Sequence, residues 1–367
     1  MFSDKFELIS FFKKKKIRNL FVICGKNSFK NSGAINLFSS IFKSIKVTYY
    51  FKKKKVPELN ELKSIIKIIK KKKPDMILAI GGGSVIDYAK MASVVDIKKN
   101  TEQLIKDYSY STFKKKTKLV VVPTTAGSGA EVTSNAVIYI NKIKYSFENE
   151  LLIPDYYFLI PELINTSPFE VKSSAGFDAI AQSIESLISK KSNSESVNYA
   201  TKSLNISLKY FLDFLKKPNL SNAGKMSVAA NLAGKAINIS KTTAPHALSY
   251  PFSSHFNLSH GHAVSLFFEK ILKFNFDNSK YSSSNFDLIK RFEILFKIFN
   301  VNNLSELNSK ISNIKRKAKL INNLKILKID IKKDTNKIIK GVNLLRLSNN
   351  PVRIDQNILI DIISNQK

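Results

Sequence analysis

The chain has 367 residues, enough for two domains, with a hydrophobic content of 44% and a formal net charge of +32. Lysine supplies almost all of that charge, only Arg18, Arg291, Arg316, Arg346 and Arg353 are arginines, and no nucleic-acid-binding motif is present, which argues against a specific nucleic-acid partner. The lone cysteine, Cys24, excludes an internal disulfide, and no apolar run reaches the ~20 residues of a spanning helix, so a protein of the reducing cytoplasm with no membrane partner is expected.

In chain order, residues 19–24 (NLFVIC) and 46–51 (KVTYYF) predict strands, and Gly25-Lys26-Asn27-Ser28 a turn at the end of the first strand. From Pro57 to Lys72 the apolar residues Leu59, Leu62, Ile65, Ile66 and Ile69 recur by threes and fours, the period of a helix with a lysine-rich end. Residues 76–80 (MILAI) form a continuous apolar strand of the kind covered on both faces of a parallel sheet. Gly81-Gly82-Gly83-Ser84 then turns into a helix beginning near Val85. Glycines let backbone approach a ligand closely, and a helix start offers free N–H groups to a pyrophosphate. Asp87, one turn in, is suited either to capping the loop or to touching the cofactor. Residues 119–123 are another apolar strand, followed by Thr124-Thr125-Ala126-Gly127-Ser128-Gly129. A hairpin is expected over 137–147, turning at Asn141-Lys142. After Pro161 helical patterns dominate, at about 168–190, 194–217, 223–239, 262–274, 284–298 and 333–347. Two domains are expected: residues 1–162, an α/β dinucleotide-binding domain, and residues 163–367, a helical metal-binding and substrate domain, with the active site in a cleft between them.

All four histidines, His246, His255, His260 and His262, fall in the stretch Thr243–Val264. Histidine is the commonest metal ligand. Upstream, Asp178 and Gln182 stand at i and i+4 of a predicted helix and share one face. With His246 and His260 they offer four oxygen and nitrogen ligands, a set compatible with Fe(II) or Zn(II).

Four blocks then resemble the iron-containing (group III) alcohol dehydrogenase family, whose fold is shared with dehydroquinate synthase and glycerol dehydrogenase. They are Gly81–Asp87 (GGGSVID), Pro123–Thr133 (PTTAGSGAEVT), Ala175–Glu185 (AGFDAIAQSIE) and the histidine stretch with His260-Gly261, in family order; Asn349–Val352 (NNPV) is a weaker echo. The family's second ligand on the first helix is a histidine, replaced here by Gln182. A histidine four residues after the first of the later pair is replaced by Tyr250. Gln182, APHALSYPFSSHF, HGHAV and NNPVR together look most like the phosphonoacetaldehyde reductase branch.

The resemblance implies a metal-dependent, NAD(P)H-linked reductase of a small anionic aldehyde, acting as a homodimer, with iron as the metal and zinc as the alternative. It carries cofactor contacts onto Gly82, Gly83, Ser84, Thr124, Thr125, Ser128 and Lys144. Family members that prefer NAD often carry an aspartate after the first strand; here Gly25, Lys26 and Asn27 occupy that turn, with no carboxylate to repel a 2′-phosphate, so NADPH is preferred over NADH. The proton source is left open among Tyr250, His255, His262 and water, and Arg346 and Arg353 are candidate phosphonate-binding cations. A different short aldehyde, a dehydroquinate synthase-like lyase and a basic binding protein on an enzyme scaffold are the competing expectations.

Overall fold

A computed structural model of the chain describes residues 5–43, 45–109, 113–141 and 143–364. The chain divides into two compact units, residues 1–168 with 218–231, and residues 169–217 with 232–367. The segment 218–231, which its helical pattern assigns to the second domain, thus packs with the first.

In the first unit a five-stranded, all-parallel sheet is built from β1 (Asn19–Gly25), β2 (Lys46–Lys52), β3 (Met76–Gly81), β4 (Lys118–Pro123) and, after the hairpin of β5 (Asn135–Ile140) and β6 (Ile143–Glu148), the short β7 (Tyr156–Tyr157). Its order is β2-β1-β3-β4-β7. The strands read as unbroken apolar runs because alternate residues serve two cores. Phe21, Ile23, Ile77, Ala79, Leu119 and Val121 join one cluster, and Leu20, Val22, Cys24, Leu78, Ile80, Val120 and Val122 the other. Helix α1 (Leu59–Lys72) buries Leu59, Leu62, Ile65, Ile66 and Ile69 on the first cluster and leaves Lys70, Lys71 and Lys72 exposed. Each such fully buried aliphatic side chain contributes roughly 1.5–3 kcal/mol of transfer free energy. Helix α2 (Gly83–Val94) follows β3 directly. The β5–β6 hairpin forms as expected from sequence, while Lys142 of its turn lies outside the described residues.

Among the described residues the second unit contains no strand, and its scaffold is α3 (Phe169–Ile188) and α4 (Ser194–Lys216). The histidine stretch is itself helical. Helix α5 (Ala244–His255) starts with Pro245 in its first turn and carries Pro251 inside it. Pro251 has no N–H for the carbonyl of Ala247, four residues back. The N–H of Asn343 supplies that bond at 3.3 Å, and Gly341 packs so closely that a Cβ there would lie 2.8 Å from the Pro251 Cβ. The single helix expected over 262–274 is two, α6 (His260–Ser265) and α7 (Phe268–Asp277), and the one expected over 333–347 breaks at Gly341 into Ile331–Lys340 and Leu344–Leu347. No helix among the described residues is long and apolar enough to cross a membrane.

Candidate active site

In the first unit the predicted cofactor residues gather at the carboxyl ends of neighbouring strands. The register sets Cys24 beside Ile80 and Gly81 beside Pro123, so Gly25, the triple-glycine turn and the Thr124–Gly129 loop leave the sheet side by side. The chain runs outward from β1 to β2 on one side and from β3 to β4 on the other, and the crevice at such a reversal is where nucleotides bind in open parallel sheets. Gly82 caps α2 and accepts from Val85 and Ile86, leaving the first N–H groups of the helix unpaired within it. The second loop is pressed on this turn: a Cβ on Gly82 would meet Thr125 Oγ1 at 3.2 Å, and one on Gly83 would meet Ser128 Oγ at 3.4 Å. Thr124 is buried and donates its N–H to Gly81 O, and Ser84 is half-buried. The turn expected at Gly25–Ser28 is instead a helix start: Gly25 ends β1 and caps the helix Lys26–Asn31, whose first residues Lys26 and Asn27 are exposed.

Asp87 lies with Lys90 and Lys144: burial pushes its carboxyl up, and the two lysines oppose that shift. Lys90, which the sequence did not single out, is fully buried and spends its three N–H groups on Thr133 O (2.7 Å), Thr133 Oγ1 (3.0 Å) and Asn135 O (2.9 Å). It ties the helix of the glycine turn to the far end of the Thr124–Ser134 loop. The signal was present as a lysine on an otherwise apolar helix, but the count of 60 basic residues concealed it.

In the second unit α3 presents Asp178 and Gln182 one turn apart, α5 presents His246, and α6 opens with His260. Ligand atoms of Asp178, His246 and His260 all lie within 4.8 Å of one another. His246 Nε2 is 3.2 Å and His260 Nε2 3.9 Å from Asp178 Oδ1. Asp178 and His246 are buried and His260 is half-buried, which leaves the set reachable from one side. Gln182 donates through Nε2 to Asp178 Oδ2 at 3.1 Å, while its Oε1 is buried and accepts no hydrogen bond. A buried carboxylate and two imidazoles converging on one point, next to an amide whose carbonyl oxygen is buried without a hydrogen bond, are donors that a divalent cation satisfies, so these four residues fit a metal.

Behind His246 stands Glu185, fully buried on the face of α3 that carries Asp178 and Gln182. One of its oxygens receives Thr243 N (2.8 Å) and Thr243 Oγ1 (2.9 Å), and the other pairs with His246 Nδ1. Burial disfavours charge on the His246 ring, but Glu185 and Asp178 outweigh it and push its pKa up to about 9. Burial likewise opposes ionisation of Asp178, yet the two histidines hold its carboxyl below the usual range. A histidine whose outer nitrogen is fixed by a carboxylate turns the other toward the metal side.

Family models decide the relationship. The iron-containing alcohol dehydrogenase model matches residues 5–161, and the C-terminal model of the same family matches residues 172–366. The chain belongs to the iron-containing alcohol dehydrogenase family. It is 30% identical over 228 residues to the 4-hydroxybutyrate dehydrogenase of Clostridium kluyveri, covering 59% of this chain and 59% of that one. It is 29% identical over 211 residues to the phosphonoacetaldehyde reductase of Streptomyces viridochromogenes, covering 55% and 53%. The matched segments thus span little more than half of these relatives. In fold it is similar to the sulfoacetaldehyde reductase of Bifidobacterium kashiwanohense, solved with NAD+, with a TM-score of 0.85 at 23% identity over 98% of this chain and 94% of that one. The α/β and helical parts expected from sequence are therefore those of the iron-containing alcohol dehydrogenase fold.

The remaining residues singled out on that resemblance differ in burial and in their partners. Tyr250 is buried on α5, one turn after His246. His262 points elsewhere: its Nε2 donates to Ile321 O at 2.7 Å, while its backbone N–H reaches Ser174 Oγ at 3.3 Å. Two residues along a helix lie on nearly opposite faces, so His260 and His262 cannot both face Asp178. His255 is exposed at the end of α5, and Arg353 is exposed as well. Glu185 ends the Ala175–Glu185 block with no role that sequence reveals, because its value depends on His246, 61 positions away.

Proposed function

We propose that this chain is a metal-dependent, NAD(P)H-linked aldehyde reductase acting on phosphonoacetaldehyde to give 2-hydroxyethylphosphonate. The observation that carries the dehydrogenase chemistry is the convergence of Asp178, His246 and His260 ligand atoms within 4.8 Å, with Gln182 bonded to Asp178 and its Oε1 left without a hydrogen-bond partner. Those four residues would hold Fe(II), or Zn(II) as the alternative, which supplies Lewis-acid polarisation of the aldehyde carbonyl and stabilises the charge that develops on its oxygen. Glu185 keeps His246 oriented, and buried Asp178 brings the negative charge that holds a dication.

A nicotinamide cofactor bound here would supply the hydride for the carbonyl carbon, and the chain would have to supply a proton for the carbonyl oxygen. Gly82, Gly83 and Ser84 with the start of α2 would take the pyrophosphate, and Thr124, Thr125, Ser128 and Lys144 the remainder of the cofactor. Exposed Lys26 beside Gly25 and Asn27, with no carboxylate in the first turn of that helix, favours NADPH over NADH. For the proton, Tyr250 is the preferred donor, since the Nε2 proton of His262 is committed to Ile321.

The substrate rests on the similarity to phosphonoacetaldehyde reductase and on glutamine at the second ligand position. The similarity to 4-hydroxybutyrate dehydrogenase supports a second substrate, the semialdehyde of a short carboxylic acid. The test is anaerobic oxidation of NADPH and NADH by the Fe(II)-loaded protein with phosphonoacetaldehyde, succinic semialdehyde, acetaldehyde and lactaldehyde. A marked preference for phosphonoacetaldehyde supports the proposal, and equal or faster turnover of the uncharged aldehydes overturns the phosphonate assignment.

A further inference from the structure

The helix that opens with His260 is too short to place itself. Helix α6 has six residues, about 9 Å of axis, and a helix of that length does not hold its shape alone. Its last carbonyls have no partner within it. Ser265 Oγ turns back to His262 O at 2.7 Å, and Ser265 O accepts from Lys315 Nζ at 2.6 Å. Lys315 stands in the last turn of α8 (Leu304–Lys317). The chain then folds back, Leu320 N donating to Lys315 O at 3.0 Å, and Ile321 O meets His262 Nε2 at 2.7 Å. One segment, 315–321, thus grips α6 at two places. On α3, Ser174 Oγ accepts the His262 N–H, and Ser174 O occupies the space a Gly261 Cβ would need.

Lys315 is almost wholly buried, and its second partner is Glu269 Oε2 at 2.6 Å, in the first turn of α7; Glu269 Oε1 takes Ser312 Oγ at 2.9 Å. The ammonium therefore joins the end of α6, the start of α7 and the end of α8. Burial lowers its pKa and the Glu269 charge opposes that fall. Stability alone does not call for such a pair, since apolar residues of similar volume in place of a buried ion pair are often neutral or stabilising. What an apolar contact does not supply is direction: it tolerates sliding, whereas an N–H aimed at one carbonyl fixes that carbonyl in place.

Resting on the metal site proposed above, we infer that Lys315 and His262 are positioning residues: they lock α6 to the segment 315–321 and so hold His260 within bonding reach of the ion shared with Asp178 and His246. His260 is the ligand that needs this, because Asp178 and Gln182 share the 20-residue α3 and His246 stands in the 12-residue α5. Its Nε2 is 3.9 Å from Asp178 Oδ1, and two bonds of about 2.0–2.2 Å to one ion allow at most ~4.4 Å. A retreat of α6 by about half an ångström exhausts that margin. The lock also gives a use to the third histidine of the stretch, whose ring is committed to Ile321.

The test measures Zn(II) affinity of the full-length protein by competition with a chromophoric chelator, beside the urea midpoint of each variant. Lys315→Met with Glu269→Leu removes both charges at once, so that neither is left buried and unpaired. This double variant should keep the wild-type urea midpoint or exceed it, yet bind Zn(II) about tenfold or more weakly. His262→Leu, which opens the other grip, should weaken Zn(II) about threefold or more, and Lys317→Met, at an exposed lysine of the same helix, should change nothing. Each replacement is then repeated in a His260→Ala background, where it should cost less than about twofold, because the ligand it positions is gone. Wild-type affinity in both the double variant and His262→Leu, or losses as large without His260 as with it, overturns the lock. If the double variant does not fold, His262→Leu measured in the two backgrounds decides by the same criterion. A wild-type protein that takes up no Zn(II) overturns the metal site itself and the lock with it, whereas Zn(II) uptake indifferent to the variants overturns the lock alone.

Discussion

Substituting Gly261 by alanine tests the ligand geometry without touching a ligand. A Cβ at Gly261 would lie 1.9 Å from Ser174 O, 2.8 Å from the carbonyl carbon of Ser174 and 3.0 Å from Asp178 Cβ. The first two are backbone atoms of α3 and have no rotamer to yield, so α6 must retreat by about 1.5 Å to reach an ordinary 3.4 Å contact. His260 is the adjacent residue, with Nε2 already 3.9 Å from Asp178 Oδ1. Bonds of about 2.0–2.2 Å to one ion keep its ligand atoms within ~4.4 Å of each other. The retreat carries His260 outside that span, and affinity for Zn(II) or Fe(II) should fall about 100-fold or more. Competition against a chromophoric chelator measures this, with circular dichroism to show that the helices persist. A folded Gly261→Ala protein whose metal affinity stays within about threefold of wild type would refute the reasoning, because α6 would then not be fixed by its contact with α3.

Gln182→His restores an imidazole at the orphaned amide and should tighten Zn(II) by about tenfold or more in the same competition assay; unchanged affinity would mean that Oε1 does not face the metal. Glu185→Gln keeps the shape but removes the charge behind His246, and should weaken metal binding about 10–100-fold with retained secondary structure. Lys90→Met strips Thr133 and Asn135 of their donor and removes from Asp87 the lysine that most opposes its upward shift; it should lower stability by roughly 3 kcal/mol in urea unfolding and raise the KM for NADPH. Burial pushes the Cys24 thiol up to about 12, so at pH 8 only about one molecule in ten thousand carries the thiolate; a thiol reagent should label the native protein negligibly and the guanidinium-unfolded protein fully.

The sheet was legible because each of its central strands buries both faces, and an unbroken apolar run that short, bounded by a glycine turn, is seldom anything but a covered strand. Asp178 and Gln182 were legible as a pair because one helix carries both, and His246 and His260 because histidine is scarce in this chain. Helix α5 was hidden by Pro251, which by local propensity argues against a helix, whereas Pro245 sits in the first turn where proline is tolerated. What compensates Pro251 is a bond from Asn343, 96 positions beyond Ala247, and no window of sequence contains both partners. Lys90 and Glu185 escaped notice for the same reason. Each is defined by distant acceptors or donors, whereas a charge in the sequence reads first as solvated surface.

The proline of α5 also sets a timetable for the growing chain. The carbonyl of Ala247 is exposed as soon as the helix forms, and the N–H that caps it, the glycine that admits Pro251, and the asparagine that clamps Ser240 and Thr242 all belong to residues 341–349. A ribosome making 5–20 residues per second reaches that segment roughly 5–20 seconds after releasing His246. During this interval the sheet and α3 can form while the imidazole-bearing helix remains unfinished, so capture of the metal becomes a late event of synthesis. The long sequence separation that makes this contact slow to form also delays a tight metal site until the rest of the fold can support it.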